Sequence, residues 1–439
     1  MTNAQTLGRM SPQLQKVVER AQREPDGQFH SLAHLLDESA LARAFHRLRS
    51  DAAVGVDGIT KEQYGRNLEE NLRTRHERLK TKPYRHQQIR RVPIPKDKGK
   101  TRPIGLSTLE DKIVQGARRE VLEAIYEQDF MENSYGFRPG RRAHDALRAL
   151  YRIADRGEVN WVLEADIVSF FDSLDRTKRR ERLQRRVIDG SIHRLLGKCL
   201  QVGVLDGEEF MTPDTGTVQG SVLSPWLGNL YLHYTLDLWF EREIKPKLQG
   251  KAHLIRYGDD FIITFERPEE AEQVMKRRTE RMRDYGRTRH PEKTRWLPFR
   301  RPLRNQTQGK GPATFDFLGF TLYWQRTRKG TWGLHGKTRH ARRRRAIQAA
   351  HDGCRRHRHR PIREPHEALK RRIQGHFNYF GVNGNIRSLA RLNFYVTRVW
   401  YKWLRRRSQK TRLTGERMYD LLKDFPLPRP RIIVQIWGV

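Results

Sequence analysis

The sequence predicts an α+β fold: an antiparallel sheet built from hairpins and interleaved with helices, followed by a basic helical region. Three observations carry this. Residues 254–265 form two β-favouring apolar runs broken by Gly258-Asp259, the pattern of a hairpin with a tight tip. Apolar stripes at helical spacing recur, as in Ile113, Ala117, Val121, Leu122 and Ile125. After about residue 330 the composition shifts, and residues 338–360 carry nine Arg against one Asp.

A chain of 439 residues is long enough for two or three domains with a sizeable core. Its 88 Lys and Arg against 51 Asp and Glu give a net charge of +37. A balance of that size speaks about partners, and a polyphosphate is the natural one, because each neutralised phosphate releases a counterion. No apolar run approaches the ~20 residues of a membrane span, and residues 1–22 are polar rather than signal-like. Two cysteines, Cys199 and Cys354, make no disulfide framework and fit a reducing compartment. Cys354 lies near His351, His357 and His359, but the run is dominated by Arg and has no second Cys, so zinc is not expected.

In chain order, residues 11–50 read as two amphipathic helices. One carries Leu14, Val17, Val18 and Ala21; the other carries Leu32, Leu35, Leu36, Leu41, Ala44 and Phe45. Thr60 is placed to cap a helix that follows the Gly55–Gly58 turn. Residues 90–106 read as a hairpin, with Pro93 and Pro95 favouring a sheet edge and Lys96, Lys98, Lys100 and Arg102 crowding the tip. Such a tip is either a solvated edge or a clamp for a triphosphate. Helices are expected over residues 109–126 and 141–153, with a Gly/Pro loop at residues 134–140 between them. Trp161 starts a buried strand that ends at Asp166. Asp166 can cap a following helix, or meet the Gly258-Asp259 tip if the two strands are neighbours. Residues 215–225 are rich in Gly, Ser and Thr and lead into an apolar helix over residues 226–240. Residues 314–324 read as a hairpin bent near Gly319. In the last long helix, Leu389, Leu392, Val396, Val399, Trp400 and Trp403 form a seam opposite Arg391, Arg398, Lys402 and Arg405. One face packs while the other meets phosphates.

Asp259 and Asp260 thus sit side by side at a hairpin tip in a strongly basic chain. Alone, an Asp pair is a polar turn. With phosphate ligands nearby, it suits Mg²⁺, which prefers one or two carboxylates plus phosphate oxygens.

The motifs together resemble a group II intron-encoded reverse transcriptase and maturase of bacterial type. The resemblance rests on Gly55-Val-Asp-Gly58, Ile94-Pro-Lys96, Arg102-Pro-Ile-Gly105 and Ser134-Tyr-Gly-Phe-Arg-Pro-Gly140. It continues through Asp166 with Phe170-Phe171-Asp172, Gln219-Gly220 with Leu223-Ser-Pro225, and Tyr257-Gly-Asp-Asp260. Lys293-Thr294, Phe317-Leu-Gly-Phe320 and Trp403-Leu-Arg-Arg-Arg-Ser408 complete it. Two departures stand out. The family usually carries Ala where this chain has Gly258, and is usually more apolar where Arg287 and Arg289 stand.

The resemblance implies a right-hand polymerase. An N-terminal extension and the start of the fingers would occupy residues 1–90, and fingers and palm residues 91–328. A helical thumb would occupy residues 329–410 and a small DNA-binding region residues 411–439, with no appended endonuclease. It implies that Asp166 and Asp259 hold two Mg²⁺, with Mn²⁺ as a substitute, helped by the Ile167 carbonyl and supported by Asp260. Lys96 and Arg102 would hold the nucleotide triphosphate, Gln219 and Gly220 would line the pocket, and Lys293 would protonate pyrophosphate. Phe317, Leu318, Gly319 and Phe320 would position the primer, and Arg342, Arg343, Arg344, Arg345, Arg398, Lys402 and Arg405 would meet nucleic acid. Phe171, shortly after Asp166, would lie under the incoming ribose and crowd out a 2′-hydroxyl; its plainer role is core packing.

The partners implied are group II intron RNA, an RNA template with a DNA primer, a DNA target and dNTPs. No membrane is implied, a homodimer is allowed, and the location is the bacterial cytoplasm, at the nucleoid when engaged on DNA. Two other roles share these motifs: a splicing-only maturase and a host-recruited enzyme of phage defence or CRISPR adaptation. The intact Asp166, Asp259 and Asp260 argue against an idle polymerase, and residues 342–439 resemble the intron type.

Overall fold

The computed structural model describes residues 10–81, 84–95, 101–166, 176–200, 204–206, 209–211, 221–284, 295–303, 313–327, 329–408 and 413–438. The side chains of Arg102 and Asp166 fall outside that description, although their backbones lie within it.

The N-terminal part is helical. α1 (Pro12–Arg23) starts at Ser11, whose side chain accepts from the Leu14 N–H, with Pro12 in the first turn. The second amphipathic stretch is not one helix. Ala33–Leu35 is a single 3₁₀ turn, and α2 (Glu38–Arg47) begins anew because Asp37 caps it. Thr60 and Gln63 form a reciprocal capping box at the short helix Lys61–Gly65, as expected of Thr60. α3 (Leu68–Lys80) follows. These helices pack Leu14, Val18, Leu41 and Phe45 against α4 (Leu109–Tyr126), which is buried along most of its length and capped by Thr108.

β1 (Ile89–Pro95) and β2 (Thr101–Leu106) form the expected antiparallel hairpin, with Arg90 opposite Leu106 and Pro95 opposite Thr101. α5 (Ala143–Asp155) precedes β3 (Trp161–Asp166). α6 (Arg176–Gln184) and α7 (Gly190–Leu200) lead to the short strands β4 (Val204–Asp206) and β5 (Glu209–Met211). Among the described residues, β1 meets β4 in parallel at Ile89 and Arg90 alone, with no ladder there on the far side of Pro93 and Pro95. The order of this sheet is β2-β1-β4-β5.

α8 (Ser224–Leu232) stops short of the helix expected to reach residue 240. The chain continues through two π-helical turns, His233–Asp237 and Trp239–Ile244. Next comes the hairpin of β6 (Ala252–Tyr257) and β7 (Asp260–Phe265). α9 (Pro268–Asp284) and β8 (Arg295–Pro298) complete a four-stranded, wholly antiparallel sheet of order β6-β7-β3-β8. Its side chains alternate between two cores. Val162, Ile255, Ile262 and Leu297 face one. Leu163, Leu254, Phe261, Ile263 and Phe265 face the other, against Trp239 and Phe240. Burial on both faces explains the unbroken apolar run in β7. Each fully buried Phe or Ile there contributes about 1.5–3 kcal/mol.

β9 (Phe315–Phe317), β10 (Phe320–Arg326) and β11 (Trp332–Thr338) form a third antiparallel sheet. It is followed by α10 (His340–Arg356), α11 (Arg363–Phe380), α12 (Ile386–Leu404) and α13 (Gly415–Asp424). Leu389, Leu392, Val396, Trp400 and Trp403 are buried along α12, and Arg391, Arg398, Lys402 and Arg405 are exposed, as the seam anticipates. Cys354 is buried in the same core, and burial pushes its thiol up to about 11. The segment after α13 folds back: Val434 bridges Val382, and Ile436 and Trp437 join the core beside Tyr151. No helix among the described residues is long and apolar enough to cross a membrane.

Candidate functional site

The β6–β7 hairpin closes with Tyr257 opposite Asp260, so Gly258 and Asp259 are its two-residue loop. Gly258 takes φ +67, which a first loop position of this kind demands and glycine supplies without strain. β3 pairs with β7 on the other side, and its last residue, Asp166, lies directly opposite Asp260. The strands carrying Asp166 and the Asp pair are therefore neighbours, and three aspartates converge at one end of the sheet. Asp259 and Asp260 are half-buried. No group of three metal-ligating side chains occurs among the described residues, and the Asp166 side chain is outside them. The adjacent Asp259 and Asp260 carboxylates, with Asp166 as the register partner of Asp260, suit a hard divalent cation that fills its remaining positions with water and phosphate.

The tip is held from beneath by a buried polar network. Arg256 and Asp237 are fully buried, and the guanidinium grips the carboxylate twice, Nε to Oδ1 at 2.8 Å and Nη2 to Oδ2 at 2.6 Å. Arg256 also donates to Asn229 Oδ1 (2.9 Å), to the Gly258 carbonyl (3.0 Å) and to Ser134 Oγ (2.7 Å). A buried charge is tolerated only when so fully partnered. Asp237 reaches Arg256 from a π-helical turn, a departure from α geometry common at functional sites.

The loop at residues 134–137 lies on the same tip. Ser134 bridges Arg256, Tyr135 N–H donates to the Arg256 carbonyl (2.8 Å), and Asn229 Nδ2 donates to the Gly136 carbonyl (2.5 Å). The approach requires two glycines. A Cβ on Gly136 would stand 2.3 Å from Gly258 N, and a Cβ on Gly258 would stand 2.8 Å from the Phe137 ring.

A second network braces the approach to the Gly/Ser/Thr-rich stretch. Gln115, fully buried, accepts from Ser221 Oγ (2.9 Å) and Val222 N–H (3.0 Å), and its amide meets His86 Nε2 (2.8 Å). Asp111 accepts from Tyr84 OH (2.7 Å), Thr108 Oγ1 (2.7 Å) and Gln87 N–H (3.0 Å). Burial lowers the His86 pKa, which favours the neutral ring.

The Phe317–Phe320 motif forms the tight turn between β9 and β10, with Phe317 opposite Phe320. Tyr379 OH donates to the Leu318 carbonyl (2.9 Å), and the Phe320 and Phe380 rings lie 5.0 Å apart, tying the turn to α11. Arg342, Arg344 and Arg345 are exposed on α10 and Arg343 is half-buried. On α12, Arg398 lies over the Phe394 ring (5.5 Å) and Arg405 over Tyr401 (5.6 Å). Arg102 stands in β2 opposite Ile94. Lys96, Ile167, Phe171, Gln219, Gly220 and Lys293 lie outside the described residues.

Sequence reasoning passed over Arg256, Asp237 and Asn229. The signal was an Arg inside an apolar strand next to the Asp pair, together with an Asp and an Asn inside an apolar helix.

Residues 94–322 match the family described as reverse transcriptase (RNA-dependent DNA polymerase). Among curated proteins, the chain is 34% identical to Protein YkfC of Escherichia coli (strain K12), over 48% of this chain and 62% of that protein. It is 32% identical to the Group II intron-encoded protein LtrA of Lactococcus lactis subsp. cremoris, over 54% of this chain and 40% of that protein. It is 34% identical to Nuclear intron maturase 2, mitochondrial, of Arabidopsis thaliana, over 24% of this chain and 14% of that protein. The chain spans less than two thirds of the length of each of these relatives.

Proposed function

This chain belongs to the reverse transcriptase family, and from that premise we propose that it copies RNA into DNA as the polymerase of a mobile group II intron and assists that intron's RNA in splicing and insertion. The observation that carries the proposal is the register of β3 on β7, which sets Asp166 against Asp260 beside the Asp259 turn.

Asp166 and Asp259, with the Ile167 carbonyl, would hold two Mg²⁺, and Asp260 would support them. When bound, such ions stabilise the attacking and leaving oxygens of an in-line displacement. The primer 3′-hydroxyl attacks the α-phosphorus of a dNTP, a new P–O bond forms, the bond to the β-phosphate oxygen breaks, and pyrophosphate leaves. Lys96 and Arg102 would anchor the triphosphate from the β1–β2 hairpin. Gln219 and Gly220 would line the base pocket, and Lys293 would give a proton to pyrophosphate. The Phe317–Phe320 turn would hold the primer end. Phe171 would exclude ribonucleotides, because an apolar ring crowds a 2′-hydroxyl and leaves it without a partner. Fingers and palm would span residues 91–328, a thumb residues 329–410 and a DNA-binding segment residues 411–439. The basic faces of α10 and α12 support RNA binding.

Primer extension on an RNA template with dNTPs and Mg²⁺ tests the reading. DNA copies are expected, and Phe171→Ala should admit ribonucleotides while keeping dNTP use. A parent protein that makes no DNA, or prefers rNTPs, would overturn it.

A further inference from the structure

Phe137 and Leu318 are the two non-glycine residues with positive φ among the described residues, at +59° and +51°. A bulky side chain in that region is a strained outlier that the surrounding structure must enforce. The two differ in what the strain accompanies. Leu318 is buried, with its carbonyl taken by Tyr379 OH, so its conformation belongs to the packing of β9 and β10 on α11. Phe137 is 42% exposed, so core packing does not account for it.

The backbone around Phe137 is tied down on both sides. Asn229 holds the Gly136 carbonyl from inside, and Arg119 Nη2 donates to the Phe137 carbonyl (3.3 Å). Arg138, the next residue, is buried, ion-paired with Glu127, and donates to the Ser134 carbonyl (2.9 Å). The loop thus fixes the ring over Gly258, next to Asp259, with the Tyr257 ring 6.1 Å away. One part of the ring covers the hairpin tip and the rest meets solvent.

We propose that Phe137 is a stacking platform for a nucleobase of the nucleic acid bound at the Asp259 turn. An exposed aromatic ring held immobile beside the reacting centre has a face that any base can stack on, at little further cost in side-chain entropy. The ligand is a base and not a phosphate, because Phe137 offers no charge and no hydrogen bond. The proposal rests on the polymerase reading, since it takes the turn to be where template and primer meet.

The test uses the full chain with an RNA template and a DNA primer carrying 5-iodouracil at single positions near the primer end. This base crosslinks on illumination to an aromatic ring stacked on it. Crosslinking to Phe137, mapped by mass spectrometry, is expected from one strand, and the labelled strand tells template from primer. In parallel, Phe137→Leu keeps an apolar cover over Gly258 but loses the stacking face. It should bind the template–primer about tenfold more weakly with an unchanged melting temperature, and Phe137→Tyr should bind like the parent. No crosslink from either strand, or equal affinity for parent and Phe137→Leu, overturns the proposal. Both readouts concern binding alone, so they decide the role of Phe137 whether or not the parent makes DNA. A parent that crosslinks yet makes no DNA counts against the polymerase reading only.

Discussion

The β6–β7 turn and the helices α10–α12 handle charge in opposite ways. At the turn, the Arg256–Asp237 pair is sealed from water and multiply bonded, and it fixes the backbone that carries the Asp pair. On α10 and α12 the charges are numerous, overwhelmingly positive and mostly exposed, and they lie on faces opposite a packed seam. The first arrangement depends on geometry and is little screened by salt. The second depends on number and is screened within about 8 Å at physiological ionic strength. On the proposed reading, position at the reacting centre and grip on a long polyanion are separate tasks, and they would fall to these two regions.

The sharpest way to break this contrast is Asp259→Ala. DNA synthesis should fall by more than about a thousandfold, because a metal ligand is lost, while RNA affinity stays at the parent's value. Primer extension beside filter binding checks it, and a joint loss would show that the turn also shapes the RNA surface.

Next in size is Arg256→Met, which leaves Asp237 buried without its partner and should cost about 3–5 kcal/mol of stability in denaturant unfolding. Adding Asp237→Leu should restore most of that stability without restoring synthesis, because nothing then holds the Gly258 carbonyl. Recovery of synthesis along with stability would reduce the network to packing.

On the helical side, changing Arg398, Lys402 and Arg405 together to Gln should lower the slope of log affinity for single-stranded RNA against log salt by about 2. Stability should fall by no more than about 1–3 kcal/mol, the loss of exposed cation–π contacts to Phe394, Trp403 and Tyr401. An unchanged slope would remove α12 from the RNA-binding surface.

The smallest effect is a pH dependence that both regions share. Burial pushes His233, beneath the sheet, and His376, on α11, down to about 4 from an ordinary value near 6.5. The unfolded chain therefore takes up these protons first. The stability is intact above pH 6.5 and is lost progressively as pH falls toward 4. A melting temperature a few degrees lower at pH 5 than at pH 7 is expected, and His376→Phe should flatten part of the change. A pH-independent melting temperature would contradict it.

The elements that hold the aspartates were legible because their signals are local. A Gly-Asp break between apolar runs specifies a hairpin, and the near-continuous apolar run in β7 fits a strand buried on both faces. The end of β3 at Asp166 left two roles open, a helix cap or a meeting with the hairpin, and the register takes the second by setting Asp166 opposite Asp260. The break between Leu36 and Glu38 was missed because a 3₁₀ turn keeps nearly helical spacing while Asp37 starts a new helix. The π-helical turns after Leu232 were missed because their widening answers a tertiary need, the reach of Asp237 to Arg256. The second network was equally hidden, since Gln115 reads as an ordinary helical residue until Ser221 is known to lie against it.

The contact between Gly136 and Gly258 also bears on how this protein can change. The two lie far apart in the chain, yet a side chain at either would strike the other segment, and one at 258 would strike the Phe137 ring. An alanine at position 258 would therefore need the Phe137 ring to give way, and would also hold a positive φ that glycine takes without strain. A directed library that randomises the turn without also varying positions 136 and 137 will sample mostly dead ends.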